Sequence, residues 1–187
     1  MFLETDRLTL RQFTVDDAPA LLALDADPRV RRFVEDGDPV NLTEAAQSIN
    51  QWIAGYEGSA DFGFWAVAEK TNGQFLGWFH LMAWDPAHPD EPEVGYRLTE
   101  AAWGKGYATE CCRALIDRAF RRTGVVRVVA EAMAVHTASR RVMQKAGMRH
   151  VRTYQAEWPV RIPGDEFGDV RYVISREDWE ARQRCQD

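Results

Sequence analysis

Residues 101–110 read AAWGKGYATE, two glycines and a lysine directly before CCRALIDRAF, an apolar run with helical spacing. Glycine adopts backbone conformations that other residues avoid, and the first turn of a helix leaves N–H groups without intrahelical partners. Those groups and the helix dipole favour an anion such as a pyrophosphate. Gly104 and Gly106 would let the backbone approach it closely, and Lys105 adds a charge. The plainer reading of the same residues is a turn with an exposed lysine. Two phosphate motifs are excluded. A P-loop needs Ser or Thr after its lysine, where Gly106 stands, and a dinucleotide fingerprint needs Gly or Ala where Thr109 stands. A nucleotide-phosphate enzyme that binds ATP at this loop is therefore disfavoured.

The flanking elements must position that segment. Thr5 to Phe13 alternates and reads as one strand. Thr14-Val15-Asp16-Asp17 reads as a capping box before DDAPALLALDAD, which ends at Asp27-Pro28. Thr43 is the expected cap of a second helix, EAAQSINQWIAGY, whose residues Ala45, Ile49, Trp52, Ile53 and Tyr56 share a face. FGFWAVAEK and FLGWFHLMAW are strands joined at the hairpin signal Asn72-Gly73. The acidic, proline-rich DPAHPDEPE leads into a short strand, VGYRL, and then the glycine segment. A helix from about Tyr107 to Arg122 stops at Gly124. VVRVVAEAMAV follows as a buried strand. HTASRRVMQKAG is a short helix with Gly147 as its stop. MRHVRTYQAEW and DVRYVIS are late strands, and Ser175 with Asp178 opens a last helix. Hairpins beside a β-α-β crossover predict an α+β (mixed α/β) fold, a mixed sheet with helices packed on it.

The chain of 187 residues fits one domain spanning 1–187, and 45% hydrophobic residues with seven tryptophans can fill a core. A net charge of −6 argues against nucleic acid as a partner and suits small-molecule or protein substrates, cationic ones in particular. Three cysteines, two of them adjacent, argue against a disulfide framework and point to a reducing compartment. Cys111 and Cys112 read as buried thiols. The start of the chain lacks an apolar signal core, and no run approaches the roughly 18 apolar residues of a spanning helix. The expectation is a cytoplasmic protein without a membrane partner. His80, His88 and His150 show no ligand spacing, so no metal is expected.

The flanks of the glycine pair carry more than the pair itself. EVGYRLTEAAWGKGYATECCRAL (93–115), AVHTASRRVMQKAGM (134–148) and the opening ETDRLTLRQFTVDDA, in this order, resemble the GNAT superfamily of N-acetyltransferases, most closely its RimJ/RimL-type branch. The resemblance covers nearly the whole chain. It implies a twisted mixed sheet whose central strands splay apart, here about Val94–Leu98 and Val126–Ala132, with the pantetheine arm of acetyl-CoA between them. It further implies that backbone groups near Tyr96 and Leu98 pair with that arm. Trp103, Gly104, Lys105, Gly106, Tyr107, Ala108 and Thr109 would form the pyrophosphate loop, with cofactor contacts also from His136, Ser139 and Arg140. The implied activity is direct transfer of an acetyl group to a primary amine, either a protein N-terminus or a small molecule. A homodimer is implied as well.

The chain departs from the family pattern in places. Trp103 stands where Gln or Arg often opens the loop. His136 replaces an Asn that contacts the cofactor. Met143 occupies the position of a Tyr that protonates the leaving thiolate, and Met cannot do so. Ser139 is the candidate for that role by position. Glu93 is the leading general base, because it begins the fourth strand near a family glutamate and burial would raise its pKa. Its plain alternative is a solvated loop carboxylate beside Asp90 and Glu91. Glu157, beside Trp158, is the reserve base. Arg140 and Arg141 would meet CoA phosphates or line a solvated helix face. Trp65, Trp78 and Trp84 read as core rather than as a substrate wall. A non-catalytic acyl-CoA-binding or sensing module is the alternative to an enzyme.

Overall fold

Apolar side chains alternate along successive strands and so load one face of a sheet. The computed structural model describes residues 1–34, 41–156 and 160–185. Among these, the strands are β1 (Leu3–Glu4), β2 (Leu8–Arg11), β3 (Gly63–Glu69), β4 (Phe75–Met82), β5 (Glu93–Leu98), β6 (Arg127–Met133), β7 (Arg149–Tyr154) and β8 (Asp169–Ser175). They form one sheet in the spatial order β1-β2-β3-β4-β5-β6-β8-β7. Every neighbouring pair is antiparallel except β5 with β6. The helices are α1 (Ala18–Asp25), α2 (Pro28–Arg31), α3 (Leu42–Gly55), α4 (Tyr107–Arg122), α5 (Thr137–Ala146) and α6 (Arg176–Arg184).

The register sets two faces. Trp65 opposes Phe79, and Phe79 opposes Tyr96. That face, with Leu8, Leu10 and Leu81, packs on Cys111, Leu115, Ile116, Ala119 and Phe120 of α4 and on Met143 of α5. On the other face Ala66 joins Phe13, Leu21 and Ile49 beneath α1 and α3. Residues 93, 95 and 97 of β5 share that second face with Met82, His80 and Trp78 of β4, since these are register partners. No helix among the described residues is long and apolar enough to cross a membrane.

The parallel junction is short. Val126 N–H donates to Asp90 O at 3.0 Å and Val129 N–H to Pro92 O at 2.9 Å. Glu93 and Val129 are then the sole register partners of β5 and β6. β6 continues on β8 as far as Met133, and β5 continues on β4 as far as Leu98. The two strands therefore diverge toward their carboxyl ends, where α4 and α5 begin.

Several local expectations change. Thr5 to Phe13 is not one strand: the chain turns at Asp6-Arg7 and pairs Leu3 with Leu10. Asn41, rather than Thr43, caps α3, accepting from Glu44 N–H at 3.1 Å while Glu44 returns the bond. The chain past Asp27 turns helical again as α2, because the Asp27 side chain caps it and Pro28 suits the first helical position. The first late strand spans Arg149–Tyr154, and Gln155 and Ala156 already lie beyond it.

The turn at Thr5–Arg7 has a structural partner. Glu110, in the first turn of α4, accepts from Thr5 Oγ1 at 2.5 Å, Arg7 N–H at 3.0 Å and Arg7 Nε at 2.7 Å. Arg7 also donates to Lys105 O at 2.9 Å. Burial raises the Glu110 pKa, but the bonds from Thr5 and Arg7 outweigh it and hold the carboxyl below its ordinary range. A depressed carboxylate pKa stabilises the fold above the unfolded value and stops doing so as pH falls through the folded one. Glu110→Gln is expected to cost about 1–3 kcal/mol at pH 7. Thermal melts should show the gap to wild type closing below pH 4; an unchanged gap at acid pH would remove the charge from the explanation.

Candidate active site

At the mouth of the diverging strands, Gly104 and Gly106 have φ of 73° and 82°. Side chains are strained in this left-handed region, so the sharp entry into α4 requires glycine. No atom lies within 4 Å of a Cβ built at Gly104, and at Gly106 only Arg7 Nη2 does, at 3.5 Å. The loop thus presents bare backbone to open space. Gly106 is the N-cap and brings no capping side chain, and Glu110 is the first residue whose N–H reaches a helical carbonyl, that of Gly106 at 3.0 Å. The N–H groups of Tyr107, Ala108 and Thr109 find no acceptor among the described residues. Three free donors at the positive end of a 16-residue helix suit a diphosphate. The Tyr107 side chain turns away, its hydroxyl donating to Glu69 at 2.5 Å, so that residue offers only its backbone. Lys105 Nζ lies 5.9 Å from the Tyr107 ring centre, beside the loop.

Trp103 locks the loop to the strand. Its indole Nε1 donates to the Leu98 carbonyl at 2.9 Å while the residue stays 45% exposed. That occupies one of the backbone groups expected to pair with a pantetheine arm and gives Trp103 a positioning part. Tyr96 points to the α4 face. Its hydroxyl donates to Ser139 Oγ of α5 at 3.4 Å, and burial holds its pKa well above the ordinary tyrosine value. The two side chains thus form a hydroxyl pair across the gap between β5 and α5.

Glu93 sits where β5 and β6 part. Its side chain is 25% exposed, so it is not the solvated loop carboxylate of the plain alternative. Burial, with Glu131 across the junction, raises its pKa to about 7; Arg171 and the Trp84 indole pull the other way. Glu131 of β6 accepts from Arg171 at 2.7 Å and from the Tyr154 hydroxyl. Next to this acidic step lies a cleft of about 330 Å³ lined by Phe33, Glu131, Met133, Tyr154 and Asp169, among others. About 17 Å of strand separates Glu93 from Leu98, at the usual rise per residue. A site that runs from a carboxylate to a phosphate cradle can serve a long cofactor on one side and a small polar group on the other.

The remaining expectations divide. Arg140 has protein partners of its own: Nη1 donates to Ala134 O at 3.0 Å and Nε lies 3.5 Å from the Tyr172 hydroxyl, tying α5 to β8 and to the end of β6. His136 precedes α5 without capping it, and its ring stacks on Phe33 at 4.1 Å. Burial, then Arg32, lowers its pKa to about 4. Met143 is buried against α4, which accounts for its type. Cys111 and Cys112 are buried, the latter thiol pushed up to about 12 by burial. The three tryptophans separate: Trp65 is core and stacks on Phe2 at 3.9 Å, Trp78 is partly buried, and Trp84 is 54% exposed beside Glu93. His88 comes within 3.9 Å of Glu91, but Arg127 holds that carboxylate at 2.8 Å, so the group anchors the loop. Glu157 and Trp158 lie outside the described residues. Thr5, Arg7, Glu131, Arg171 and Tyr154 went unnoticed as supports, because their partners are distant in sequence.

Residues 7–149 match the model of the acetyltransferase (GNAT) domain. The chain is 34% identical over 97% of its length, and 79% of the relative's, to FsC-acetyl coenzyme A-N(2)-transacetylase of Aspergillus fumigatus. Among solved structures, spermidine N-acetyltransferase from Vibrio cholerae, in complex with CoA and spermine, superposes with a TM-score of 0.76 at 15% identity, covering 92% of this chain and 98% of that one. An acetyltransferase from Salmonella typhimurium that modifies the N-terminal serine of a 50S ribosomal subunit protein gives 0.75 at 20% identity, covering 93% and 98%. A diverging parallel junction, a glycine-opened helix beside it and a family model spanning both lead to one conclusion: the chain belongs to the GNAT acetyltransferase family.

Proposed function

We propose that the chain moves an acetyl group from acetyl-CoA to a primary amine by direct attack on the thioester, with Glu93 as the general base. The observation that carries this reading is the parting of β5 from β6 at Glu93, which puts a partly buried carboxylate at the closed end of the gap. The N–H groups of Tyr107, Ala108 and Thr109 hold the diphosphate, and the exposed edge of β5 guides the pantetheine arm. Glu93 takes the proton of the incoming ammonium. The freed nitrogen bonds to the acetyl carbon and the C–S bond breaks. The second proton of that nitrogen passes by way of the Ser139–Tyr96 hydroxyl pair to the departing thiolate, so that the pair ends as it began. No acyl-enzyme is needed, which fits the burial of Cys111 and Cys112. Glu131 and Asp169 in the adjoining cleft favour a cationic acceptor. The transfer to nitrogen in the name of the Aspergillus relative agrees with an amine acceptor.

Thermal unfolding with acetyl-CoA, with ATP as control, tests the cofactor site first. At a concentration of about 100 Kd, acetyl-CoA should stabilise by about 2.7 kcal/mol. Equal shifts with ATP, or none with either, would sink the assignment.

Glu93→Gln should lower kcat/KM by about 10²–10⁴-fold while keeping the acetyl-CoA shift. The wild-type profile should climb as pH rises through about 7. Near-full activity in the variant removes Glu93 from the mechanism. The linkage sign gives an independent check. A raised carboxyl pKa disfavours the folded state progressively as pH rises from the unfolded value of 4.5 through about 7. Relative to wild type, Glu93→Gln should therefore gain melting temperature more at pH 8 than at pH 5.

A further inference from the structure

His80 is the buried polar group that this reaction scheme leaves without a part. It stands on β4, 8% exposed, and neither ring nitrogen has a hydrogen-bond partner among the described residues. Such a group carries a desolvation penalty that a core phenylalanine would avoid. Its walls are aromatic: ring centres of Phe64, Trp78 and Trp84 lie at 5.1, 5.8 and 5.6 Å. Its floor is β5. A Cβ on Gly95 would come 2.5 Å from the imidazole Cε1 and 2.7 Å from Nε2, so the strand admits the ring only because residue 95 has no side chain. Among the described residues, the charged group that its ring nitrogens approach is Glu93, with Nε2 4.0 Å from Oε1. A small rotation of the Glu93 side chain closes that gap to the usual hydrogen-bond length of about 2.9 Å.

We propose that His80 is a positioning residue for the general base: its neutral imidazole, in the Nε2–H tautomer, donates to the Glu93 carboxylate, orienting it and supporting its ionised form. The proposal rests on Glu93 being the base. The chemistry favours a neutral donor here. Burial alone drives a carboxyl pKa upward, and a buried arginine partner would pull it far down, making a weak base. A neutral N–H limits the rise without forming an ion pair. The burial that lowers the His80 pKa to about 4 keeps the ring neutral through the working range. The charged surroundings are few. Glu131 from β6 and Arg171 from β8 act on Glu93 in opposite senses. Arg97 of β5 pairs with Asp25 of α1 and lies over Trp78, 5.5 Å from its ring centre. The neighbours from β3 and α3, Phe64 and Trp52, are uncharged.

The test compares wild type, His80→Phe and His80→Gln. In His80→Phe the rising limb of kcat/KM should move up by about one pH unit, a loss of about fivefold at pH 7 that approaches tenfold at lower pH, with KM for acetyl-CoA and the acetyl-CoA melting shift unchanged. His80→Gln, which keeps a donor, should restore much of the limb. Carbon-13 NMR titration of the Glu93 carboxyl needs no turnover and should show the same upward shift. If no amine is acetylated, the proposed reaction fails while the NMR shift still decides the role of His80. Superimposable Glu93 titrations in wild type and His80→Phe would overturn it. Should His80→Phe not fold, nitrogen-15 NMR of wild-type His80 decides: a neutral Nε2–H ring between pH 5 and 8 supports the proposal, and an Nδ1–H or protonated ring rejects it.

Discussion

Two neighbouring strands can stay together only while each satisfies the N–H and C=O groups of the other, and β5 and β6 stop doing so after Glu93 and Val129. Much of the site's geometry follows from that interruption. β6 remains held by β8 on its far side and β5 by β4, so the sheet survives as two antiparallel halves joined at one parallel step. The backbone left over in the gap can pair with an extended, amide-bearing molecule much as it would pair with a strand. α4 then crosses from one half to the other and fills the space beneath with Leu115, Ile116 and Phe120. The apolar face of an amphipathic helix thus keeps the two halves in place while the sheet itself leaves a slot.

The same junction separates two chemistries along β5. Odd-numbered residues carry Glu93, a bare glycine that makes room for His80, and the ion-paired Arg97. Even-numbered residues carry Val94, Tyr96 and Leu98 into the α4 core. One strand therefore carries a polar face and an apolar face that packs on α4. Glu131, Arg171 and Tyr154 extend the polar face onto β6, β8 and β7. Their mutual bonds leave Glu93 as the carboxylate at the junction without an arginine of its own.

The glycine segment, the helix behind it and the identity of β5 and β6 were legible because their signals are local: residue type, spacing and order. The Asn72-Gly73 turn was legible for the same reason, with Asn72 accepting from Gln74 N–H at 2.8 Å. Asn41 was missed as a cap because Thr43 with its following acid competes for the same role, and only geometry ranks them. Arg140 stayed open between a phosphate ligand and a solvated helix face because a helical arginine carries no local mark of its partner. Its partners, Ala134 O and the Tyr172 hydroxyl, are set by tertiary packing. His80 offered no spacing at all. Its meaning comes from register, which sets it opposite Gly95.

The bonds from Thr5 and Arg7 to Glu110 span 105 and 103 residues of chain. Gly106 cannot cap α4 itself, so the start of that helix depends on an anchor made early in synthesis and used late. Contacts of such separation form only after a large loop has closed. The β1–β2 turn closes on its own Thr5–Leu8 bonds, but the glycine loop gains its anchor only when that turn meets α4. The loop is thus shaped by a long-range contact, and any ligand that binds only its folded form would favour that contact over the local ones before it.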